Sequence, residues 1–476
     1  MVEITPNYFA YFALLAWPAV ALFLYSRLPL ARATIWTLLG GYLLLPLGTE
    51  IKIPMVPVFD KQSIPSLVAL IGCAMSTRRP PKFWHGFGLA EVLILPILIG
   101  PFITSMLNSD PIRSGDTFIP GVGAYDAGSA AIAAFVSLVP FFVGRQFLRS
   151  AEDNAEILRA LVIAGLAYSL PILFELRMSP QLNIWVYGYF PTEFIQQIRE
   201  GGFRPAVFLG HGLLVAFFIM TTTVAAAAFW RTQTRVSPLP PGGAIAYLSL
   251  ILVLCKTMGA LVYSIVAVPL VRWTSPRTQL RVACVLAALS LTYPLLRVAD
   301  LIPTDSILSV ANDISPARAE SLNVRFENEK VLLEHAWERP WFGWGRYGRN
   351  RVYNGWMGRD NSVTDGYWII TLGVFGLVGF AATFGLLTLA IFRAATALKF
   401  AQPTWESGYL AALGLIVAIN IFDLLPNSSI SSWTWLLVGG LLGRAETLHA
   451  LARRRILPED MQLSPLQIRQ TESPSI

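Results

Sequence analysis

Residues 317–368 read ARAESLNVRFENEKVLLEHAWERPWFGWGRYGRNRVYNGWMGRDNSVTDGYW, a dense mixture of Arg, Glu, Asp and Trp. They make up most of the one long hydrophilic interruption in the chain, between apolar stretches ending near Arg297 and starting near Gly366. What flanks this segment decides the fold. The 476 residues are 54% hydrophobic and only 14% charged, with a mean hydropathy of +0.56, whereas soluble domains carry about 25% charged residues. A helix that crosses a bilayer needs about 20 mostly apolar residues. About thirteen such stretches can be read, centred near residues 17, 40, 70, 97, 135, 166, 217, 249, 264, 289, 379, 415 and 437. The pair near 249 and 264 is short and also reads as one broken helix, so 12–13 transmembrane helices are expected. The first stretch lacks a charged leader and a small-residue cleavage site, which makes it a retained helix. The expectation is an all-α integral membrane protein with one large, partly helical loop.

Charge in the short loops orients such a chain. Arg27 and Arg32, then Arg78, Arg79 and Lys82, then Arg145, Arg149 and Arg159 fall on alternate loops. Arg231 and Arg235, Arg272, Arg277 and Arg281, Arg393 and Lys399, and finally Arg444 and Arg453 to Arg455 continue the series. All lie on one side if the N-terminus faces out and thirteen helices follow. The C-terminus is then cytoplasmic and the long loop lies on the outer face, the periplasm of a Gram-negative cell. The chain divides into N-terminal transmembrane helices (1–174), an outer loop with central helices (175–297), the large loop (298–365), C-terminal helices (366–445) and a tail (446–476). From about Leu457 the tail is polar and proline-bearing, a disordered composition.

The net charge of +7 is spread over loops rather than gathered in a patch, which argues against nucleic acid as a partner. Cys73, Cys255 and Cys284 lie in apolar stretches without metal-ligand spacing and read as small apolar residues. Neither an internal repeat nor an inverted repeat is evident. Within the long loop, Ser315-Pro316 opens a helix. Ala319, Leu322, Phe326, Val331, Leu332, His335 and Ala336 give it an apolar stripe over 317–338, and Pro340 stops it. Charged residues on it, Arg325, Glu329, Lys330 and Glu334 among them, are spaced for pairing along the helix. The WFGWGRYG turn that follows can bring backbone close to a ligand. In the shorter outer segment, 191–200 has helix-compatible spacing.

Three motifs in order resemble the O-antigen ligase and O-antigen polymerase family of bacterial envelopes. The first is Arg325, a short helix, then P-x-x-G-x-G as Pro340-Trp341-Phe342-Gly343-Trp344-Gly345. The second is the polar Thr364-Asp365-Gly366 opening a glycine-bearing apolar run through Gly373 and Gly376. The third is an upstream Arg leading into a helix, Phe203-Arg204-Pro205 to His211-Gly212. The resemblance covers about residues 150 to 440. It implies a GT-C-like glycosyltransferase architecture. Where many relatives carry a His followed by Asn, Ser or Gln, held to be the catalytic base in ligases, this chain has Asp365-Gly366. That departure points toward an exopolysaccharide or O-antigen polymerase, with the ligase that transfers glycan to lipid A core as the alternative. A polysaccharide or glycolipid transporter is the alternative from another class.

The family reaction moves a glycan from an undecaprenyl-diphosphate carrier to a sugar hydroxyl at the outer face of the inner membrane. It needs cations for the diphosphate and a base for the hydroxyl, with no cofactor and no metal. Arginine suits a diphosphate because its planar fork makes bidentate, charge-assisted hydrogen bonds and stays ionised. By the resemblance, Arg325 and Arg204 take that role and Asp365 is the base; Asp365 otherwise reads as the N-cap of the next helix. Lys256, His211 and His335 are further substrate-binding candidates, and Trp344 is placed to stack on sugar. Glu175 reads as a partner of Arg177 or Arg204. The implied partners are the lipid-linked oligosaccharide, membrane lipid, a flippase and a chain-length regulator.

Overall fold

The computed structural model describes residues 5–456 except 54–56, 78–79, 85, 200 and 355. The readings made on Arg78, Arg79 and the polar tail lie outside the described residues. Sixteen helices are named in chain order among the described residues. The first six are α1 (Tyr8–Arg27), α2 (Leu30–Leu44), α3 (Ser63–Thr77), α4 (Leu89–Leu107), α5 (Ala124–Phe147) and α6 (Ala151–Met178). Then come α7 (Leu182–Tyr187), α8 (Gly212–Thr232), α9 (Pro241–Leu254), α10 (Met258–Trp273) and α11 (Pro276–Val298). The long loop holds α12 (Thr304–Ile314) and α13 (Pro316–Trp337), before α14 (Tyr367–Ala397), α15 (Thr404–Asp423) and α16 (Ser432–Ile456). Every one of the thirteen apolar stretches is helical. Among the described residues, α1, α4, α5, α6, α8, α11, α14 and α15 are long and apolar enough to cross a membrane. The apolar helices α2, α3, α9 and α10 are shorter. This is the pattern of a multi-pass membrane protein.

Contacts sort the connections into two ends of the bundle. At one end, Lys61 reaches Phe208 O (2.7 Å), Arg339 reaches Leu107 O (3.0 Å) and Arg325 reaches Pro426 O (3.1 Å). At the other, Arg32 pairs with Glu156 (2.7 Å), and Arg145 with Glu91 (2.9 Å) and Glu446 (2.7 Å). The basic loops of the alternation thus meet one another, and the long interruption covers the opposite end. The core runs through both. Glycines let helix backbones touch where α5 crosses α16: a Cβ at Gly439 would lie 2.2 Å from Phe141 O, and one at Gly144 would lie 2.6 Å from Leu436 O.

The glycine-bearing run proves to be a broken helix. Gly376 within α14 has φ 68° and ψ −169°, a region open essentially to glycine alone. Tyr367 and Phe384 are seventeen positions apart, about 25 Å along a continuous helix, yet their ring centroids lie 6.2 Å apart. The first arm therefore folds back beside the second. The break frees backbone groups that need partners, and the segment 340–345 supplies them. Leu377 N donates to Pro340 O (2.7 Å) and Val378 N to Trp341 O (3.2 Å), while Trp344 N and Gly345 N donate to Gly373 O (2.8 Å) and Val374 O (3.0 Å). The P-x-x-G-x-G motif and the apolar glycine run thus interlock backbone to backbone.

One local expectation is corrected, and other local features add to the sequence reading. Among the described residues, 191–199 hold no α-helix: a 3-10 turn at Phe194–Gln197 leads into a hairpin of β3 (Ile198–Arg199) and β4 (Gly202–Phe203). The reason is Gly201, whose φ of 68° serves a tight turn. A second small hairpin, β1 (Ile112–Ser114) with β2 (Thr117–Ile119), joins α4 to α5. The helix α12 escaped notice because it is short and separated from α13 only by Ser315. The central division begins inside a helix, since α6 continues through Glu175 to Met178.

Candidate functional site

Arg325 rises from the middle of α13, whose buried face is Leu332, Leu333 and Ala336. Its Nη1 donates to Pro426 O at 3.1 Å, and its Nε lies 3.4 Å from Asp365 Oδ2. The two residues read as catalytic from the sequence are therefore brought together. Asp365 is not the helix cap: Gly366 is, and α14 starts at Tyr367. Tyr367 N donates to Leu424 O (2.9 Å) and Asn427 O (3.1 Å), tying the start of α14 to the turn after α15.

That turn carries a carboxylate the sequence reading missed. Asp423 ends α15 in a buried position and accepts from Asn427 Nδ2 (3.0 Å) and Ser429 Oγ (3.3 Å). The Tyr263 hydroxyl faces it, and the Arg325 charge acts on it. Arg325 thus pairs with one carboxylate and acts electrostatically on a second. The available signal was a lone Asp closing an apolar helix, since ionisable groups at membrane depth are uncommon without a role.

Glu329 is not the partner of Arg325 that helical spacing offered. It turns to α11, where Arg297 Nε lies 3.4 Å away and Tyr293 Oη donates at 3.2 Å. Burial pushes the Glu329 carboxyl above its ordinary range, with Arg297 opposing. Tyr293 also packs edge-on against the buried Trp368 of α14, ring centroids 5.0 Å apart. This pairing leaves Arg325 to Asp365.

Arg204, Lys256 and His211 form a second grouping at the same end. Lys256 occupies the break between α9 and α10 with φ 52°, and Arg204 Nε donates to its carbonyl at 3.4 Å. Its ammonium overhangs the β3–β4 turn, where a Cβ on Gly202 would come within 2.6 Å of Nζ. His211 is the N-cap of α8 rather than a residue inside an apolar helix. Its Nδ1 accepts from Leu213 N (3.0 Å), and Nε2 lies 3.3 Å from Gln196 Oε1. Glu175 holds this region without an ion pair to Arg177 or Arg204 among the contacts described. Its carboxylate accepts three backbone amides, from Leu182, Ala206 and Val207, at 2.7 to 3.0 Å. Tyr263 of α10 is edge-on to Phe217 of α8 (6.3 Å) and faces Asp423.

His335 and Trp344 lie elsewhere. Ten residues along α13 separate His335 from Arg325, about 15 Å. The Trp344 ring is stacked on His335 at 4.3 Å, with the Arg339 guanidinium 4.1 Å from its centroid, and its Nε1 donates to His335 O at 2.8 Å. Arg339 also pairs with Asp110 at 3.0 Å, and that hydrogen bond holds the Asp110 carboxyl below its usual range. These side chains clamp the 340–345 segment to the end of α4.

A buried lysine completes the picture. Lys61 precedes α3, donates to Phe208 O at 2.7 Å and lies 5.9 Å from the Tyr42 ring centroid. Burial brings its amine down to about 7. Its sequence context, Asp60-Lys61-Gln62-Ser63, reads as an ordinary polar connection, so nothing local marked it.

One end of the bundle therefore offers arginine and lysine for an anion and carboxylates for a proton. No protein-family model matches the sequence, and no curated protein matches it.

Proposed function

We infer that the chain is a membrane glycosyltransferase of bacterial surface polysaccharide assembly. It polymerises undecaprenyl-diphosphate-linked oligosaccharide repeats at the periplasmic face of the inner membrane. The observation that carries this reading is Arg325 beside Asp365, with a second carboxylate, Asp423, behind it. A transfer to a sugar hydroxyl needs a cation and a base in one place. Support also comes from the Arg204–Lys256 contact at the same end and from the order of the three family-like motifs.

In the proposed reaction the acceptor hydroxyl oxygen attacks the anomeric carbon of the donor glycan. The bond from that carbon to the diphosphate oxygen breaks, and undecaprenyl diphosphate leaves with the electron pair. Asp365 takes the hydroxyl proton. Arg325 stabilises the charge that grows on the leaving diphosphate, and Arg204 and Lys256 hold the diphosphate at its far side. The energy of the new bond comes from the diphosphate linkage. Arg325→Ala, inserted at normal levels, is expected to abolish polymer and leave lipid-linked single repeats. Normal polymer from that variant overturns the reading.

A second reading has its own observation. Helix breaks at Lys256 and Gly376 and a buried Lys61 are features of transporters. Purified protein in vesicles that moves a glycolipid without forming a glycosidic bond would favour it.

A further inference from the structure

The crown at residues 340–345 is locked to α14, whereas α12, earlier in the same loop, packs chiefly on α13. At about 3.6 residues per turn, Ile307, Leu308, Val310 and Ala311 share one side of α12, and Asp305, Ser309, Asn312 and Asp313 the other. Ala311 is buried, yet Ile307 and Val310 stand exposed beside it, Val310 by 62%. The apolar side is therefore covered only in part by the described residues.

The join to α11 sets where this side lies. The helix α11 is long and apolar enough to cross a membrane, and it exposes Val285, Leu289, Leu295 and Val298 to lipid. It ends in a Schellman turn: Asp300 takes a φ of 52°, Asp300 N donates to Arg297 O (3.2 Å) and Leu301 N to Leu296 O (2.9 Å). Leu301 is 67% exposed, and only residues 299–303 separate the two helices. The exposed apolar side chains of α12 thus follow directly on those of α11 that face lipid. The polar side of α12 carries Asp305 and Asp313 and no Lys or Arg, so it lacks the basic face that draws a helix to anionic lipid. Leu301, Ile307 and Val310 also fall well short of the roughly 20–30 residues a side that a standard protein interface takes. A helix already tethered to the bilayer needs far less apolar surface to rest on it.

We propose that α12 lies in the headgroup layer of the bilayer at this end of the bundle, with Ile307 and Val310 at the edge of the hydrocarbon and the two aspartates in water. The attraction is apolar rather than electrostatic, and α13 rests against the bilayer surface through α12. This placement does not depend on the transferase reading, and its test needs no transfer activity.

The test compares Val310→Cys with Asn312→Cys, each labelled with bimane in the full-length protein in phosphatidylcholine nanodiscs. Cys73 and Cys255 are buried and Cys284 is half-buried, so Cys284→Ala accompanies both. A nitroxide carried on the lipid near its headgroup should quench the label at position 310 at least about twofold more than at 312, and aqueous iodide should do the reverse. Adding phosphatidylglycerol to the nanodiscs should leave that ratio unchanged. Ile307→Cys is a second site on the apolar side, expected to follow position 310, and serves if Val310→Cys fails to fold. Equal lipid quenching at 310 and 312 overturns the placement. So does protection of position 310 from both quenchers, which would mean that a second copy or another protein covers that side. A difference seen only with phosphatidylglycerol overturns the apolar attraction.

Discussion

Arg325 pairs with one carboxylate, Asp365, and acts electrostatically on a second, Asp423, and the two should fail differently. Asp365 keeps 40% of its side chain exposed, open to an incoming hydroxyl. Asp423 is buried with its oxygens engaged by Asn427 and Ser429, so it shapes the turn whose Pro426 carbonyl anchors Arg325. Asp365→Asn should cut polymer formation about 10²-fold or more, as loss of a general base does, with the melting temperature unchanged. Asp423→Asn should lower the melting temperature, because an amide then faces donors that want an acceptor. Full activity in Asp365→Asn, with none in a folded Asp423→Asn, would exchange the two roles. Arg325 and Asp365 stood out as candidates in the sequence because both stand in a hydrophilic loop of a chain otherwise poor in charge. Asp423 and Lys61 did not, since each acquires its setting in part from residues more than a hundred positions away, such as Tyr263 and Phe208. Helical spacing also mispaired Glu329, because Arg297 on another helix competes for it and burial favours that neighbour.

At the scale of elements, the interlock of residues 340–345 with the break in α14 is the feature with the firmest energetic consequence. Gly376 adopts a backbone conformation worth 1–3 kcal/mol of strain to any other residue, and a Cβ there would lie 2.4 Å from the Trp341 backbone. Gly376→Ala should therefore destabilise the protein by about 3 kcal/mol or more, read as an earlier thermal unfolding in detergent. Gly128→Ala is the comparison: it lies within α5, a Cβ there meets nothing within 4 Å, and its effect should stay within about 0.5 kcal/mol. Equal melting of the two variants would remove the interlock from the list of stabilising contacts. The helix over residues 317–338 was legible to within a residue or two because its apolar period, its opening Ser-Pro and its stopping Pro340 agree. The break was not, since glycine inside an apolar run reads equally as close helix packing, the use Gly144 and Gly439 show.

For the whole molecule, the end opposite the long loop is fastened by ion pairs. Arg145 of α5 joins Glu91 of α4 to Glu446 of α16, and the Arg145 and Glu91 side chains are almost wholly buried. Arg444 meets Glu406 in a similar buried pair across α16 and α15. Removing one partner of a buried pair strands the other and costs about 3–5 kcal/mol. Arg145→Met should lower thermal stability by that order, and Arg145→Met with Glu91→Gln should recover part of it; a double variant no better than the single one would contradict the coupling. All thirteen helical stretches could be read from the sequence because hydropathy depends only on composition along the chain. Which helices meet could not, because lipid-facing and helix-facing apolar surfaces look alike in sequence. The interlock has a last consequence at this scale. The chain from Arg325 to Asp365 is a closed ring: it leaves along α13, is buckled to α14 at the crown, and returns down the first arm to the salt bridge. A ring closed at two points transmits displacement, so a change at Gly343 or Gly376 alters the distance between Arg325 and Asp365 without touching either residue.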